Sequence, residues 1–249
     1  MLFLELIAEK YARALVKKHG TPVIDKVVET GFQIAAEDPS MYEGSEVKPP
    51  DMALDLLYRY AQHVPNDKVW PIFQKYLQAY GTSQNEHQRA AATAILGFVS
   101  DSDALLDPIK ENMGALTNYL IDRMKDSSFC VREAAGETVG RFAESCGMDF
   151  LDQHEKVFPC LLTVVRDLQA SKEELTVQKA IFALNEFVSK FEYEMKLYLE
   201  ESIKVLLVYI QGTYGRDIRY WALVALSNVI TSAKKRISPY QNDLLTLFQ

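Results

Sequence analysis

The stretch that decides the fold is MKDSSFCVREAAGETVGRFAES, residues 124–145. Within it, Ala135 is followed by Thr138 and Val139, three and four positions later, on the same face of a helix. A small residue followed by mostly apolar side chains at this spacing occurs five times, beginning at Ala53, Ala92, Ala135, Ala180 and Ala222. Successive copies begin 39, 43, 45 and 42 residues apart. A repeat of this length predicts stacked helical hairpins, because one hairpin cannot bury its apolar face without a neighbour.

Helix start and stop signals divide the chain into about six predicted hairpins, and no stretch shows a strand pattern. Their approximate ranges are 1–37, 50–80, 84–125, 128–169, 173–211 and 216–249. The predicted fold is therefore all-α, an α-α superhelix in which each hairpin stacks on the next. Residues 1–18 predict an amphipathic helix, and residues 240–248 begin a helix with an apolar stripe. Because neither end carries a polar capping repeat, we expect an internal segment of a longer protein.

The segment EDPSMYEGSEVKPPD, residues 37–51, interrupts this regularity. It has five carboxylates, three prolines and no periodicity, which predicts an acidic loop. Two interpretations remain open: a solvated loop, or a surface for basic protein tails. Its acidic side chains are Glu37, Asp38, Glu43, Glu46 and Asp51.

Composition narrows the function classes. The net charge of −7 over 249 residues disfavours nucleic acid, which needs clustered cations. The longest unbroken apolar run, residues 205–210, is far too short to span a membrane. Cys130, Cys146 and Cys160 match no metal-binding spacing, and a reducing compartment is expected.

Motifs for catalysis or cofactor binding are missing from the sequence. It contains no GxGxxG, P-loop, HExxH or GxSxG. Its four histidines fall in different predicted hairpins, and the adjacent pairs Glu173-Glu174 and Glu200-Glu201 diverge on a helix. We therefore expect a non-enzymatic protein without cofactor or metal.

The pattern Asp…Val-Arg…Ala-Ala…Gly in residues 126–140 resembles a HEAT repeat. Asp126 precedes Arg132 by six residues, a spacing that in HEAT repeats lets an aspartate in the turn pair with an arginine of the next helix. Arg89 and Arg219 occupy equivalent positions, whereas Val177 replaces the arginine in the fifth copy. The resemblance implies an incomplete ladder of Asp126, Arg132, Arg89 and Arg219.

Four stretches resemble the importin-beta (karyopherin) family of nuclear transport receptors, most closely the branch containing importin four. They are VREAAGETVGRFAE (131–144), KAIFALNEFVSKF (179–191), YWALVALSNVITSAKKRISPY (220–240) and ALDLLYRYAQHVPNDKVWP (53–71). Together they place residues 50–249 in the family's order.

The resemblance implies a receptor that shuttles between cytoplasm and nucleus. First helices would line a convex surface that binds phenylalanine-glycine nucleoporins. Second helices would line a concave surface that binds protein cargo and Ran-GTP, with Ran-GTP driving release. Acidic second-helix side chains would favour basic cargo such as histones or ribosomal proteins. These are Asp122, Asp126, Asp167, Glu200 and Glu201.

Two other function classes remain open. One is a static HEAT scaffold, such as a phosphatase regulatory subunit or a vesicle-coat adaptor, although the uneven repeat length favours a karyopherin. The other is a non-catalytic domain of a larger enzyme. Trp221 occupies a column of small residues and is either core filler or a peptide-binding platform.

Overall fold

The computed structural model describes residues 20–46, 48–171, 173–190 and 194–245, together with residues 14, 17 and 18. This part of the chain is built of helices and contains no strand, which confirms the predicted all-α fold. The amphipathic helix predicted over residues 1–18 lies almost wholly outside the described residues, and so does the end of the last predicted helix.

The α-helices follow one another with short connections. They are α1 (Thr21–Ala35), α2 (Pro49–His63), α3 (Asn66–Gly81), α4 (Glu86–Ser100), α5 (Asp103–Glu111), α6 (Met113–Met124), α7 (Phe129–Ser145), α8 (Met148–Leu151), α9 (His154–Asp167), α10 (Glu174–Lys190), α11 (Leu199–Gln211), α12 (Arg216–Ala233) and α13 (Gln241–Leu245). Short 3-10 helices span Pro39–Tyr42, Leu168–Ala170, Glu194–Leu197 and Lys234–Tyr240.

Local chemistry explains several helix boundaries. Prolines stand in the first turns of α1 and α2, where a missing N–H has no intrahelical acceptor to satisfy. The side chain of Asn85 accepts a hydrogen bond from the backbone N–H of His87 at 2.9 Å and caps α4. Pro108 lies inside α5, which begins five residues earlier at Asp103. Asn112 then donates to the Pro108 carbonyl at 2.7 Å where α5 ends.

The helices form two layers. The helices α4, α7, α10 and α12 pack side by side in chain order and form the first-helix layer. The second-helix layer is formed by α3, α6, α9 and α11. Each of them packs against the next helix of the first-helix layer along the chain. This is the stacked-hairpin arrangement that the sequence period predicts.

Small residues set how closely the first helices approach. The alanines that define the repeat are almost completely buried: Ala53, Ala92, Ala135, Ala180 and Ala222. A Cβ atom on Gly140 would overlap the Lys179 carbonyl oxygen, and one on Gly136 would lie 2.9 Å from the Val164 side chain. These two glycines therefore allow neighbouring helices to pack closely.

The helices α1, α2 and α3 pack differently. The helix α1 contacts α2, α3 and α4, and α2 also contacts α5. Their core is aromatic: the Phe32 ring lies 6.2, 5.5 and 5.3 Å from those of Phe73, Tyr76 and Tyr80. This part of the core therefore depends on large side chains filling an irregular junction.

Candidate functional site

An arginine-aspartate ladder links consecutive hairpins. Arg89 in α4 donates to both carboxylate oxygens of Asp126 at 2.8 Å. It also donates to the carbonyl oxygens of Ser83 and Gln84, in the turn before its own helix. Arg89 thus ties the turn before its own helix to the turn that follows its hairpin.

Arg132 in α7 repeats this geometry. It donates to the carboxylate of Asp167 at 3.1 Å and to the Asp126 and Ser127 carbonyls at 2.9 and 3.1 Å. The predicted pairing of the Asp126 carboxylate with Arg132 is wrong. The Asp126 carboxylate pairs with Arg89, whereas Arg132 bonds the backbone carbonyl oxygen of Asp126. Hydrogen bonds from Arg89 stabilise the charged carboxylate of Asp126, so the pKa of Asp126 is lowered from its ordinary value of 3.8.

A second set of polar contacts was not predicted from the sequence. Arg141 in α7 is almost buried, donates to Asp101 at 2.5 Å and Glu137 at 2.9 Å, and lies 3.8 Å from the Phe98 ring centre. Asn228 donates to Asn185 at 2.8 Å between α12 and α10. The sequence signal for the Arg141 contact is its position four residues after Glu137 in an apolar helix, since residues at this spacing lie next to each other on a helix.

The second-helix layer carries an apolar groove of about 370 Å³ between α3 and α6. Its apolar walls come from Trp70 and Leu77 on α3 and from Leu116 and Tyr119 on α6. Asp122 is exposed at this groove and supplies its carboxylate. Arg123 also lines the groove, and its charge is compensated by Asp126 at 3.5 Å. The Asp122 carboxylate beside the apolar walls therefore suits a partner side chain with an apolar stem and a positive tip.

Neighbouring polar contacts hold the α6 wall in place. The Tyr119 hydroxyl lies 3.0 Å from the hydroxyl of Thr93, and burial raises the pKa of Tyr119. Arg123 donates to the Gly81 carbonyl at 2.7 Å while its guanidinium lies over the Tyr119 ring. The groove is therefore built before any partner arrives.

A second groove, of about 590 Å³, lies between α9 and α11. Exposed Leu197 and Val208 provide its apolar surface. Arg166 pairs with Glu201 across it at 2.8 Å, and Lys204 pairs with Glu200 at 2.5 Å. These ion pairs compensate the two predicted glutamates, so the groove has little net charge.

The acidic second-helix side chains therefore separate into different environments. Asp122 faces a groove, Asp126 and Asp167 are ladder members, and Glu200 and Glu201 are paired with cations. Sequence reasoning treated them alike because it had no positions for their partners. It missed Trp70, Leu116 and Tyr119 as groove residues, since they come from different hairpins.

The acidic segment 37–51 is partly structured. Glu37 accepts a hydrogen bond from Tyr42, and Asp38 accepts one from the backbone N–H of Ser40 at 2.9 Å. Those bonds from Ser40 lower the pKa of Asp38. The remaining carboxylates, Glu43, Glu46 and Asp51, are exposed.

The first-helix layer has its own aromatic cluster. Trp221 is half-buried and packs edge-on against Phe182 at 5.0 Å and Tyr220 at 5.4 Å. Tyr220 and Leu223 are exposed beside it. Arg219 lies one turn into the same helix, α12.

The described residues contain neither a metal-binding group of side chains nor a membrane-spanning helix. Among them, no three His, Cys, Asp or Glu side chains are grouped so that they could hold a metal ion. Within the same residues, no helix combines the length and apolarity needed to span a bilayer.

Comparison with known proteins gives a consistent structural result. No protein-family model and no curated protein sequence matches the chain. The crystal structure of Kap121p is similar, with a TM-score of 0.75 and 18% sequence identity. The superposition covers 98% of this chain and 24% of the Kap121p chain. Kap121p bound to RanGTP matches 98% of this chain and 25% of its own, with a TM-score of 0.78 and 17% identity.

The chain has the HEAT-repeat fold of the karyopherin Kap121p. The structure of Kap121p bound to Nup53p gives a TM-score of 0.74 at 18% identity, over 98% of this chain and 24% of the other. This chain spans about a quarter of the length of Kap121p. The similarity to Kap121p therefore describes the architecture of a segment.

Proposed function

We propose that this chain is a segment of an importin-beta-type nuclear transport receptor. The observation that carries the proposal is the superposition on Kap121p over 98% of the chain. Kap121p has been crystallised with RanGTP, with Nup53p and with the SUMO protease Ulp1p. The four stretches that resemble the family support the same function, and they are the basis for proposing the importin-four branch.

Protein cargo binds the second-helix layer in this proposal. The α3–α6 groove offers apolar walls formed by Trp70 and Tyr119 and the carboxylate of Asp122. A basic segment, such as a histone or ribosomal protein tail, would place an aliphatic stem on the walls and its charge near Asp122. The net charge of −7 adds long-range attraction for such a cargo.

Release follows from competition between two ligands. Ran-GTP and cargo favour different curvatures of the solenoid, so binding of one lowers the affinity for the other. The many small interfaces between hairpins allow this change without unfolding. The full receptor shuttles between cytoplasm and nucleus with its cargo.

Nucleoporins contact the other layer in this proposal. The cluster of Trp221, Phe182 and Tyr220 with exposed Leu223 presents aromatic and apolar surface on the first helices. Such a surface suits the phenylalanine side chains of phenylalanine-glycine repeats.

The test uses the intact protein and Ran loaded with a non-hydrolysable GTP analogue. We expect the protein to bind this Ran, to bind Ran-GDP much more weakly, and to release a bound histone tail when the GTP form is added. Binding that does not depend on the nucleotide would contradict transport and favour the static scaffold.

A charge reversal tests the proposed cargo groove. Asp122→Lys should weaken binding of the histone tail about tenfold, because it places a cation where the tail is positive. Asp67→Lys makes the same charge change in the first turn of α3, outside the groove lining. Equal weakening by both variants would contradict a specific role for the groove.

A further inference from the structure

One ion pair joins parts of the chain that a simple repeat array keeps apart. In such an array each repeat contacts only its neighbours. Here the Lys48 ammonium, directly before α2, lies 3.5 Å from the Glu173 carboxylate, directly before α10. Two first helices, α4 and α7, come between α2 and α10 in the stack.

A second contact lies at the other end of the same segment. The Asp38 carboxylate lies 4.0 Å from Nε2 of His87, in the first turn of α4. Asp38 is itself held by its hydrogen bond from Ser40, and Pro50 is buried at the start of α2. The segment is therefore attached to α4 at one end and to the start of α10 at the other.

Carboxylates from α2, from α7 and from the turn before α10 interact electrostatically near the Lys48 contact. Asp51 of α2 and Glu137 and Glu133 of α7 interact electrostatically with Glu173 or with one another. Desolvation, assisted by the neighbouring carboxylates Glu173 and Glu137, raises the pKa of Glu133. Lys48 lowers this mutual repulsion, so its charge matters beyond a single exposed pair.

We propose that residues 37–46 and 48–51 form a cross-repeat strap that restrains the curvature of the solenoid. While Lys48 contacts Glu173, the starts of α2 and α10 cannot move apart as α4 and α7 shift. Loss of the contact frees the first-helix layer to bend, because the main interfaces of the stack lie between neighbouring first helices. The proposal rests on the repeat architecture and does not depend on the transport function.

Hydrogen–deuterium exchange of the full chain tests the strap. In Lys48→Glu, amides of residues 38–46 and of the first turn of α10 should exchange roughly three- to tenfold faster. The control Lys26→Glu makes the same charge change at a lysine that pairs within α1, with Glu29. It should leave both regions unchanged.

A charge swap makes the test specific. Lys48→Glu combined with Glu173→Lys should return exchange in both regions close to that of the unmodified chain, because the pair is re-formed with reversed signs. If Lys48→Glu lowers the helix content, Lys48→Gln takes its place in the comparison with Lys26→Glu. Equal exchange in Lys48 and Lys26 variants, or no recovery in the charge swap, would overturn the strap.

Discussion

The regular stack α4, α7, α10 and α12 and the N-terminal helices α1, α2 and α3 solve the same packing problem differently. In the stack, small residues such as Gly140 bring backbones together, and the Arg89–Asp126 contact sets the offset between hairpins. In the N-terminal region, Phe32 and its aromatic neighbours fill the space between α1 and α3. The first solution can be repeated indefinitely, whereas the second fits one place only.

The comparison shows what the repeat does and does not specify. A small residue at a repeated position permits close stacking wherever it occurs, because its effect is local. The aromatic cluster around Phe32 depends on the shape of one cavity, and the aromatic rings of the stack, Phe142, Phe150 and Phe187, form a separate cluster. The two regions should therefore respond to different substitutions.

The largest effect is expected at the centre of the aromatic cluster. Phe32→Ala should lower the free energy of unfolding by about 3–5 kcal/mol, because it removes a fully buried ring and leaves a cavity. Urea unfolding measures the loss, and hydrogen exchange should rise in α1 to α3 more than in α7 to α12. The control Met41→Ala alters a side chain that is 64% exposed. A similar loss in the control would contradict the special role of the cluster.

Next in size is a test of close packing in the stack. Gly140→Ala should lower the free energy of unfolding by about 3 kcal/mol, because the new methyl group overlaps the Lys179 backbone. Gly114→Ala is the matched control in α6, where a Cβ would meet nothing within 4 Å. It should raise stability by about 0.5 kcal/mol through the lower entropy of the unfolded chain. Thermal unfolding of both variants distinguishes them, and effects of the same sign would refute close packing.

A smaller loss is expected from the ladder. Asp126→Asn should lower the free energy of unfolding at pH 7 by about 1.5 kcal/mol, because Arg89 loses its charged acceptor. Asp55→Asn, which removes an exposed partner of Arg59, should cost about 0.3 kcal/mol. Urea titrations of the two variants at pH 7 compare these losses directly, and equal losses would argue against the ladder.

The same ladder contact predicts an acid dependence. The pKa of Asp126 is lower in the folded chain than its ordinary value of 3.8. Its stabilising contribution is therefore complete above pH 3.8 and is lost as the pH falls through the folded pKa. The stability difference between the unmodified chain and Asp126→Asn should shrink in that acid range. A constant difference down to pH 2 would contradict the ladder assignment.

The smallest effect is expected at Glu133, a half-buried carboxylate of α7 within the stack. Burial raises the folded pKa of Glu133 above its ordinary value of 4.5, so its ionisation opposes folding as the pH rises through this interval. Glu133→Gln should raise stability at pH 7 by about 0.5–1 kcal/mol, and the gain should vanish below the unfolded pKa. Urea unfolding at pH 7 and pH 4 measures it, with the exposed Glu46→Gln as control. A loss of stability at pH 7 in Glu133→Gln would contradict a destabilising effect of the buried charge.

Much of the fold could be predicted from the sequence. The repeated alanines marked the buried faces, because helical periodicity is a local property. The ladder residues Arg89, Arg132 and Asp126 were also recognisable, although their pairing was predicted one hairpin out of place. The break between α5 and α6 was missed, because it depends on how Asn112 turns back to bond Pro108.

Less of the candidate site could be predicted. Asp122 was identified by its charge, but the groove it faces needs Trp70 from one hairpin and Tyr119 from the next. The acidic segment was recognised by composition, yet its contacts with His87 and Glu173 follow no spacing rule. Side chains this far apart in the chain meet only when the offset between several hairpins is known.

By itself the sequence determined the helical period, the buried stripe of each hairpin and the acidic balance, since all three depend on residue type and on neighbours within a few turns. Only the tertiary structure decided which aspartate pairs with Arg132, where a groove opens between second helices, and that Lys48 reaches Glu173. The physical reason is that small rotations between hairpins accumulate along the stack, and close packing fixes them one interface at a time.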